Sequence, residues 1–126
     1  MTDVTFTERE LDIMSVLWRL GSGTVAEVMA AMDDGAGYTT VLKLLQILED
    51  KGHVTHLKEG RAHRYLPLVD RDAAARGALG RVVDKIFEGS AELVLARLVA
   101  ERAVSAAELA RMRRLLDEVE PSEDAP

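Results

Sequence analysis

Tyr38-Thr39-Thr40-Val41-Leu42-Lys43-Leu44-Leu45-Gln46-Ile47-Leu48-Glu49-Asp50-Lys51-Gly52-His53-Val54-Thr55-His56-Leu57-Lys58-Glu59-Gly60-Arg61-Ala62-His63-Arg64-Tyr65-Leu66 is the stretch that decides the fold. Its first half has a helical period. On a wheel turning about 100° per residue, Val41, Leu44, Leu45 and Leu48 gather on one side and must face a core. Thr39, Lys43, Gln46 and Asp50 lie opposite, with Tyr38, Thr40 and Leu42 at the leading edge. The spacing predicts a helix over Tyr38–Lys51 that stops at Gly52. The second half changes texture. Val54–Leu57 and Arg64–Leu66 are short strand-like runs separated by Lys58-Glu59-Gly60-Arg61, and a glycine-bearing turn between two such runs predicts a β-hairpin, ended by Pro67.

Upstream, Thr7-Glu10 and Thr24-Glu27 have the spacing of capping boxes, in which a hydroxyl and a carboxylate satisfy the free N–H groups of a helix start. Leu11, Met14, Leu17 and Trp18 follow the first box and predict an amphipathic helix ending at Gly21. Val25, Val28, Met29 and Met32 follow the second, and Gly35-Ala36-Gly37 breaks the chain before the third helix. Helix, helix, helix, hairpin is the order of a winged helix, with the third helix placed for recognition. Trp18 and Tyr65 are expected in its core.

Downstream of Asp70 the chain is helical again. Leu79, Val82, Val83 and Ile86 line one face of a fourth helix closed by Gly89; Leu93, Leu95, Leu98 and Val99 lie in a fifth. Ser105-Glu108 opens a sixth, on which Leu109, Met112, Leu116 and Val119 form an a/d-like stripe. Three helices in about fifty residues bury too little surface for a core of their own. The stripes are therefore expected to pack against a second copy. Leu79, Val82, Val83, Ile86, Leu95, Leu98, Leu109, Met112 and Leu116 become the expected dimerisation residues. The chain is thus expected to be mainly α with a small β-hairpin: a winged helix-turn-helix over 1–70, a three-helix dimerisation region over 71–120 and a disordered tail over 121–126.

Composition sets the outer limits. The 126 residues, 48% apolar and 30% charged, suit one domain or a small domain with an appendage, not a disordered chain. The absence of cysteine removes disulfides, thiolate metal sites and cysteine nucleophiles. Met1-Thr2-Asp3-Val4 has neither the basic flank nor the apolar core of a signal peptide, and no apolar run approaches the roughly 18 residues of a membrane helix. A cytoplasmic protein with no membrane insertion is expected. The net charge of −6 argues against nucleic acid when taken globally. Residues 38–66, however, set Lys43, Lys51, Lys58, Arg61 and Arg64 against Glu49, Asp50 and Glu59, so this window is +2 and the remainder −8. An anionic partner would meet the window.

The N-terminal part of a recognition helix reaches base edges. Threonine and leucine suit thymine methyls, lysine donates to guanine and glutamine pairs with adenine, so Tyr38, Thr39, Thr40, Leu42, Lys43 and Gln46 are the candidate groove residues. Lys58 and Arg61 flank the hairpin tip with Arg64 behind, where cations contact phosphates and position a protein without specifying sequence. The plainer alternative is a solvated helix face and a solubilised turn. His53, His56 and His63 are better explained as wing and strand-edge residues than as metal ligands, since strand geometry sends His53 and His56 to opposite faces. No metal and no cofactor are expected. Gly21-Ser22-Gly23 lacks the lysine and length of a phosphate loop, and Ser90 sits in no nucleophile elbow, so no enzyme is expected.

Tyr38-Thr39-Thr40-Val41-Leu42-Lys43, Leu48-Glu49-Asp50-Lys51-Gly52 and Lys58-Glu59-Gly60-Arg61 together resemble the penicillinase-repressor family, which includes β-lactamase, methicillin-resistance and copper-responsive regulators. Thr7 to Met14 with Leu17-Trp18 resembles its first helix, and Phe87-Glu88-Gly89-Ser90 with Ser105 to Leu116 its dimerisation helices, so the likeness spans residues 6–119. The resemblance implies a homodimeric repressor that sets one winged helix on each half of a palindromic operator in double-stranded DNA. It also implies derepression by a membrane-bound metalloprotease sensor that leads to cleavage in the C-terminal region. There the sequence departs: Leu95-Ala96-Arg97-Leu98 stands where the best-known members have an Asn-Phe bond. The Cys-x-Cys tail of the copper-responsive branch is missing. A winged-helix protein-interaction module without DNA is the alternative function, and the net charge is its best support.

Overall fold

A computed structural model describes residues 5–123; Met1–Val4 and the tail beyond 123 lie outside the described residues. In chain order the elements are α1 (Glu8–Leu20), β1 (Gly23–Thr24), α2 (Val25–Ala31), α3 (Tyr38–Asp50), β2 (Val54–Glu59), β3 (Ala62–Pro67), α4 (Arg71–Ile86), α5 (Ala91–Glu101) and α6 (Ala106–Glu118). Both upstream capping boxes form with reciprocal bonds, Thr7 with Glu10 and Thr24 with Glu27, and Gly21 ends α1 as expected. The third helix stops one residue earlier than its pattern suggests, because Lys51 serves as its C-cap.

The β elements exceed the expectation. The hairpin ladder runs from Val54↔Pro67 to Glu59↔Ala62, so the separator shrinks to the two-residue turn Gly60-Arg61. Gly60 supplies a φ of 63°, the glycine-first pattern of a two-residue hairpin turn whose twist matches its strands. A third strand, β1, pairs antiparallel with β3 through Gly23↔Tyr65 and Thr24↔Arg64, giving the order β1-β3-β2. Two residues carry no period to read. The close approach at Gly23, where an added Cβ would stand 3.0 Å from Val28 Cγ2, is what a side chain there would prevent.

The core is shared by the first three helices and the hairpin strands β2 and β3. Ile13, Met14, Val16 and Leu17 of α1, Val25 and Val28 of α2, Val41, Leu45 and Leu48 of α3, and the strand residues Val54 and Tyr65 are buried together. Leu44, expected inside, is half-buried against this cluster. Trp18 lies at the rim. Its Nε1–H donates to the Val69 carbonyl at 2.7 Å, Phe6 meets its ring edge-on and the Arg71 guanidinium sits 6.0 Å above it. The segment entering α4 is therefore tied to α1.

Among the described residues, one charged residue is inside. Glu10 is 2% exposed, and both its oxygens are used: Oε1 accepts from the Thr7 N–H at 2.7 Å and Oε2 from Lys51 Nζ at 2.8 Å. The capping carboxylate of α1 thus also staples the end of α3. Burial pushes the Glu10 carboxyl up, but the bonds from Lys51 and Thr7 outweigh it and hold the pKa below the ordinary value.

The chain divides into two compact units that meet inside α4, between Val82 and Val83. In the second unit neither α5 nor α6 has a buried residue. Of the expected dimerisation residues, Leu79, Val82, Ile86, Leu98 and Leu116 are exposed, and Val83, Leu95, Leu109 and Met112 are half-buried. Among the described residues, no helix is long and apolar enough to cross a membrane.

Glu10→Ala removes a buried hydrogen-bonded carboxylate and is expected to destabilise the folded chain by about 1–3 kcal/mol in urea unfolding. The stabilisation is complete at neutral pH, because the folded pKa lies below the unfolded one, and fades as pH falls through the depressed value. The gap between parent and Glu10→Ala should therefore narrow in acid; a constant gap from pH 7 to pH 3 would exclude the ion pair as its source.

Candidate nucleic-acid interface

Burying Val41, Leu45 and Leu48 turns the opposite side of α3 to solvent. Tyr38, Thr39, Thr40, Lys43 and Gln46 are all exposed there. Leu42, expected among them, is half-buried against the core, so its methyls are only partly offered outward. Gly37 caps α3 without a side-chain bond. The first-turn N–H groups are left without a side-chain acceptor, at the end where the helix dipole favours an anion.

Arg9 of α1 is a neighbour the sequence pattern did not single out. It lines a shallow groove with Thr39, Thr40, Lys43, Leu44 and Ile47. Its guanidinium is bonded to Asp34 and, at 3.1 Å, to Asp12, and the Asp34 bond raises its pKa further. The Arg9–Asp12 spacing of i, i+3 was the available signal.

At the wing, Arg61 in the turn and Lys58 on the strand before it are exposed. Arg64 is differently placed. Its Nη1 donates to Glu27 Oε1 at 2.9 Å and to Ser22 Oγ at 3.2 Å, and its Nη2 donates to Glu59 Oε2 at 2.8 Å. Glu59 first and Glu27 next drive its pKa still higher. Glu27 in turn is lowered by its bond from the Thr24 backbone and by Arg64. The third basic residue of the wing therefore links β3 to β2 and α2, and its donors are directed into the domain.

On the other face of the hairpin, His56 stands opposite Tyr65. Its Nδ1 shares a 2.6 Å hydrogen bond with Glu49 Oε2 of α3, a carboxylate partner that sequence spacing did not reveal. Its ring stacks on His63 at 4.3 Å with 13° between planes. Burial raises the Tyr65 pKa, and the nearby charge of Glu49 adds to it. His53 lies apart, against Phe6 at 4.8 Å. Among the described residues no group of three or more histidines and carboxylates is arranged to hold a metal.

The arrangement offers one polar helix face and two exposed cations on a projecting hairpin. Comparison with known proteins places it. The penicillinase repressor family model matches residues 6–118. A transcriptional regulator BlaI of Mycobacterium tuberculosis is 37% identical over 118 residues, covering 88% of this chain and 82% of its own length. The penicillinase repressor of Bacillus licheniformis is 23% identical over 114 residues, 89% of each chain. Among solved structures, the DNA-binding domain of the repressor BlaI superposes with a TM-score of 0.51 at 28% identity, covering 57% of this chain and 90% of that domain.

Proposed function

We propose that this chain, which belongs to the penicillinase-repressor family, represses transcription by binding operator DNA as a homodimer. The observation that carries the reading is the outward face of α3. Thr39, Thr40, Lys43 and Gln46 stand exposed on the side of the helix turned away from the core. In this reading α3 enters the major groove, where Lys43 donates to guanine, Gln46 pairs with adenine and the threonine methyls meet thymine. Lys58 and Arg61 hold phosphates and set the register. Arg64 positions the wing from within. A partner-binding module would call for an apolar outward face, and the polar residues there disfavour it.

The apolar stripes support the dimer. Leu79, Val82 and Ile86 on α4 and Leu98 and Leu116 on α5 and α6 are exposed in the single chain. Burying such a side chain fully is worth roughly 1.5–3 kcal/mol. A second copy presents the same stripes, and two-fold pairing closes the interface. We assign residues 71–120 to this role. A palindromic operator with half-sites about one helical turn apart, or a multiple of it, follows from that symmetry. The function calls for no cofactor and no catalysis, and a cytoplasmic location. Induction by a sensor protease at Ala96–Arg97 requires local opening of α5, because that bond lies inside the helix.

Two outcomes test the division of labour. Lys43→Ala should weaken binding by about 1–3 kcal/mol and relax preference at one base position, whereas Arg61→Ala should weaken all sequences alike and lower the salt slope by about one unit. Anisotropy titrations at several salt concentrations separate the two; equal losses with unchanged slopes would remove the assignment. For the dimer, Leu116→Asp should sediment as a folded monomer and lose tight operator binding. A folded monomer that binds as tightly as the parent would overturn it.

A further inference from the structure

Apolar packing of the wing stops at its root. Val54 and Tyr65 are buried, while Leu57, Lys58, Glu59, Gly60, Arg61, Ala62 and His63 are all exposed. Outside the core the hairpin is held by polar contacts on its two faces. Because neighbouring residues of a strand point to opposite faces, the His56/Tyr65 rung and the Leu57/Arg64 rung face opposite ways. Arg64 ties one face to Glu27 and Ser22. His56 ties the other to Glu49.

Glu49 belongs to the recognition helix itself, one turn beyond Gln46. The His56–Glu49 bond is therefore the side-chain hydrogen bond that runs directly from the wing to α3 among the described residues. The His63 ring, nearly parallel to that of His56, restricts its plane. Both partners are about one-third exposed, at 34% and 30%, so the bond lies at the margin of the domain.

We infer that Glu49 and His56 are positioning residues for DNA binding, which fix the wing relative to the recognition helix so that phosphate and groove contacts form together. The inference rests on the DNA-binding reading above. Groups held in register before binding do not incur that ordering cost on association. Electrostatics alone predicts the opposite behaviour for Glu49: a carboxylate near a polyanion repels it, so its removal should tighten binding. The sign of the effect distinguishes the two.

The experiment uses the full-length chain and a duplex selected by the parent from a randomised pool, with scrambled duplex as control. Glu49→Ala removes both the charge and the acceptor. Selective affinity should fall by about two- to tenfold, the range set by one net hydrogen bond. Glu49→Gln removes the charge but keeps an oxygen acceptor for the imidazole N–H, and should bind as well as the parent or better. His56→Phe keeps a ring against His63 and should weaken binding as Glu49→Ala does, with no further loss in the double variant. Lys58→Ala should cost less in the Glu49→Ala background than in the parent. Thermal unfolding of each variant checks that the domain is intact. Glu49→Ala binding as tightly as the parent, or additive losses in the double variant, would overturn the inference. Failure of the parent itself to prefer the selected duplex would instead overturn the DNA-binding reading.

Discussion

The burial of Val41, Leu45 and Leu48 against α1 fixes what α3 can do. Side chains recurring every three or four residues occupy one side of a helix and leave the rest to solvent. Once these three enter the core with Ile13, Met14 and Leu17, Thr39, Lys43 and Gln46 must face outward. The same packing holds both ends of α3. Its C-terminal cap, Lys51, reaches Glu10, and its entry follows the short α2, whose Val28 is in the same core. The exposed face of α3 is thus what the packing of its other face leaves to solvent.

The wing obeys a different physics. Two strands of six residues bury only Val54 and Tyr65, within the three rungs nearest the root, and an isolated hairpin is marginal in water. Pairing of β1 with β3 adds a third strand at the root, and the Arg64 and His56 contacts extend the hold beyond it. Apolar packing would have buried the tip and withdrawn it from a partner. Polar contacts keep Lys58 and Arg61 in water while limiting where the hairpin points.

Helices were legible wherever a cap and a period coincided. Thr7 with Glu10, and Thr24 with Glu27, marked starts that the structure reproduces, because the capping bonds are local and depend on three residues of spacing. The hairpin was legible from Gly60 and its flanks, but its length was not, since Lys58, Glu59 and Ala62 lack the residue types favoured in strands. β1 was invisible: its pairing with Tyr65 and Arg64 is non-local. The exposed face of α3 followed from the wheel because a helical period is local, whereas the commitments of Arg64 and Glu49 are non-local and did not. Glu27 and Arg64 are far apart in sequence, and only the fold brings them to 2.9 Å.

The ion pairs leave the net charge of −6 unchanged but decide where on the chain it is felt. Residues 8–37 supply Glu8, Glu10, Asp12, Glu27, Asp33 and Asp34. Of these, Glu10 is matched by Lys51, Asp12 and Asp34 share Arg9, and Glu27 shares Arg64 with Glu59. A close pair is nearly neutral when seen from a distance greater than its own length, and salt screens the rest over about 8–10 Å. Outside these pairs, Lys58 and Arg61 on the wing and Lys43 on α3 stand exposed, with Asp50 at the far end of the same helix. The same bookkeeping limits affinity. Each phosphate contact contributes a salt slope of about 0.9, and nonspecific binding rests almost wholly on such contacts. With only Lys58, Arg61 and Lys43 exposed on the wing and the outward face of α3, a chain with the proposed function would hold arbitrary DNA weakly through one such face and would need base contacts and a second copy for tight binding.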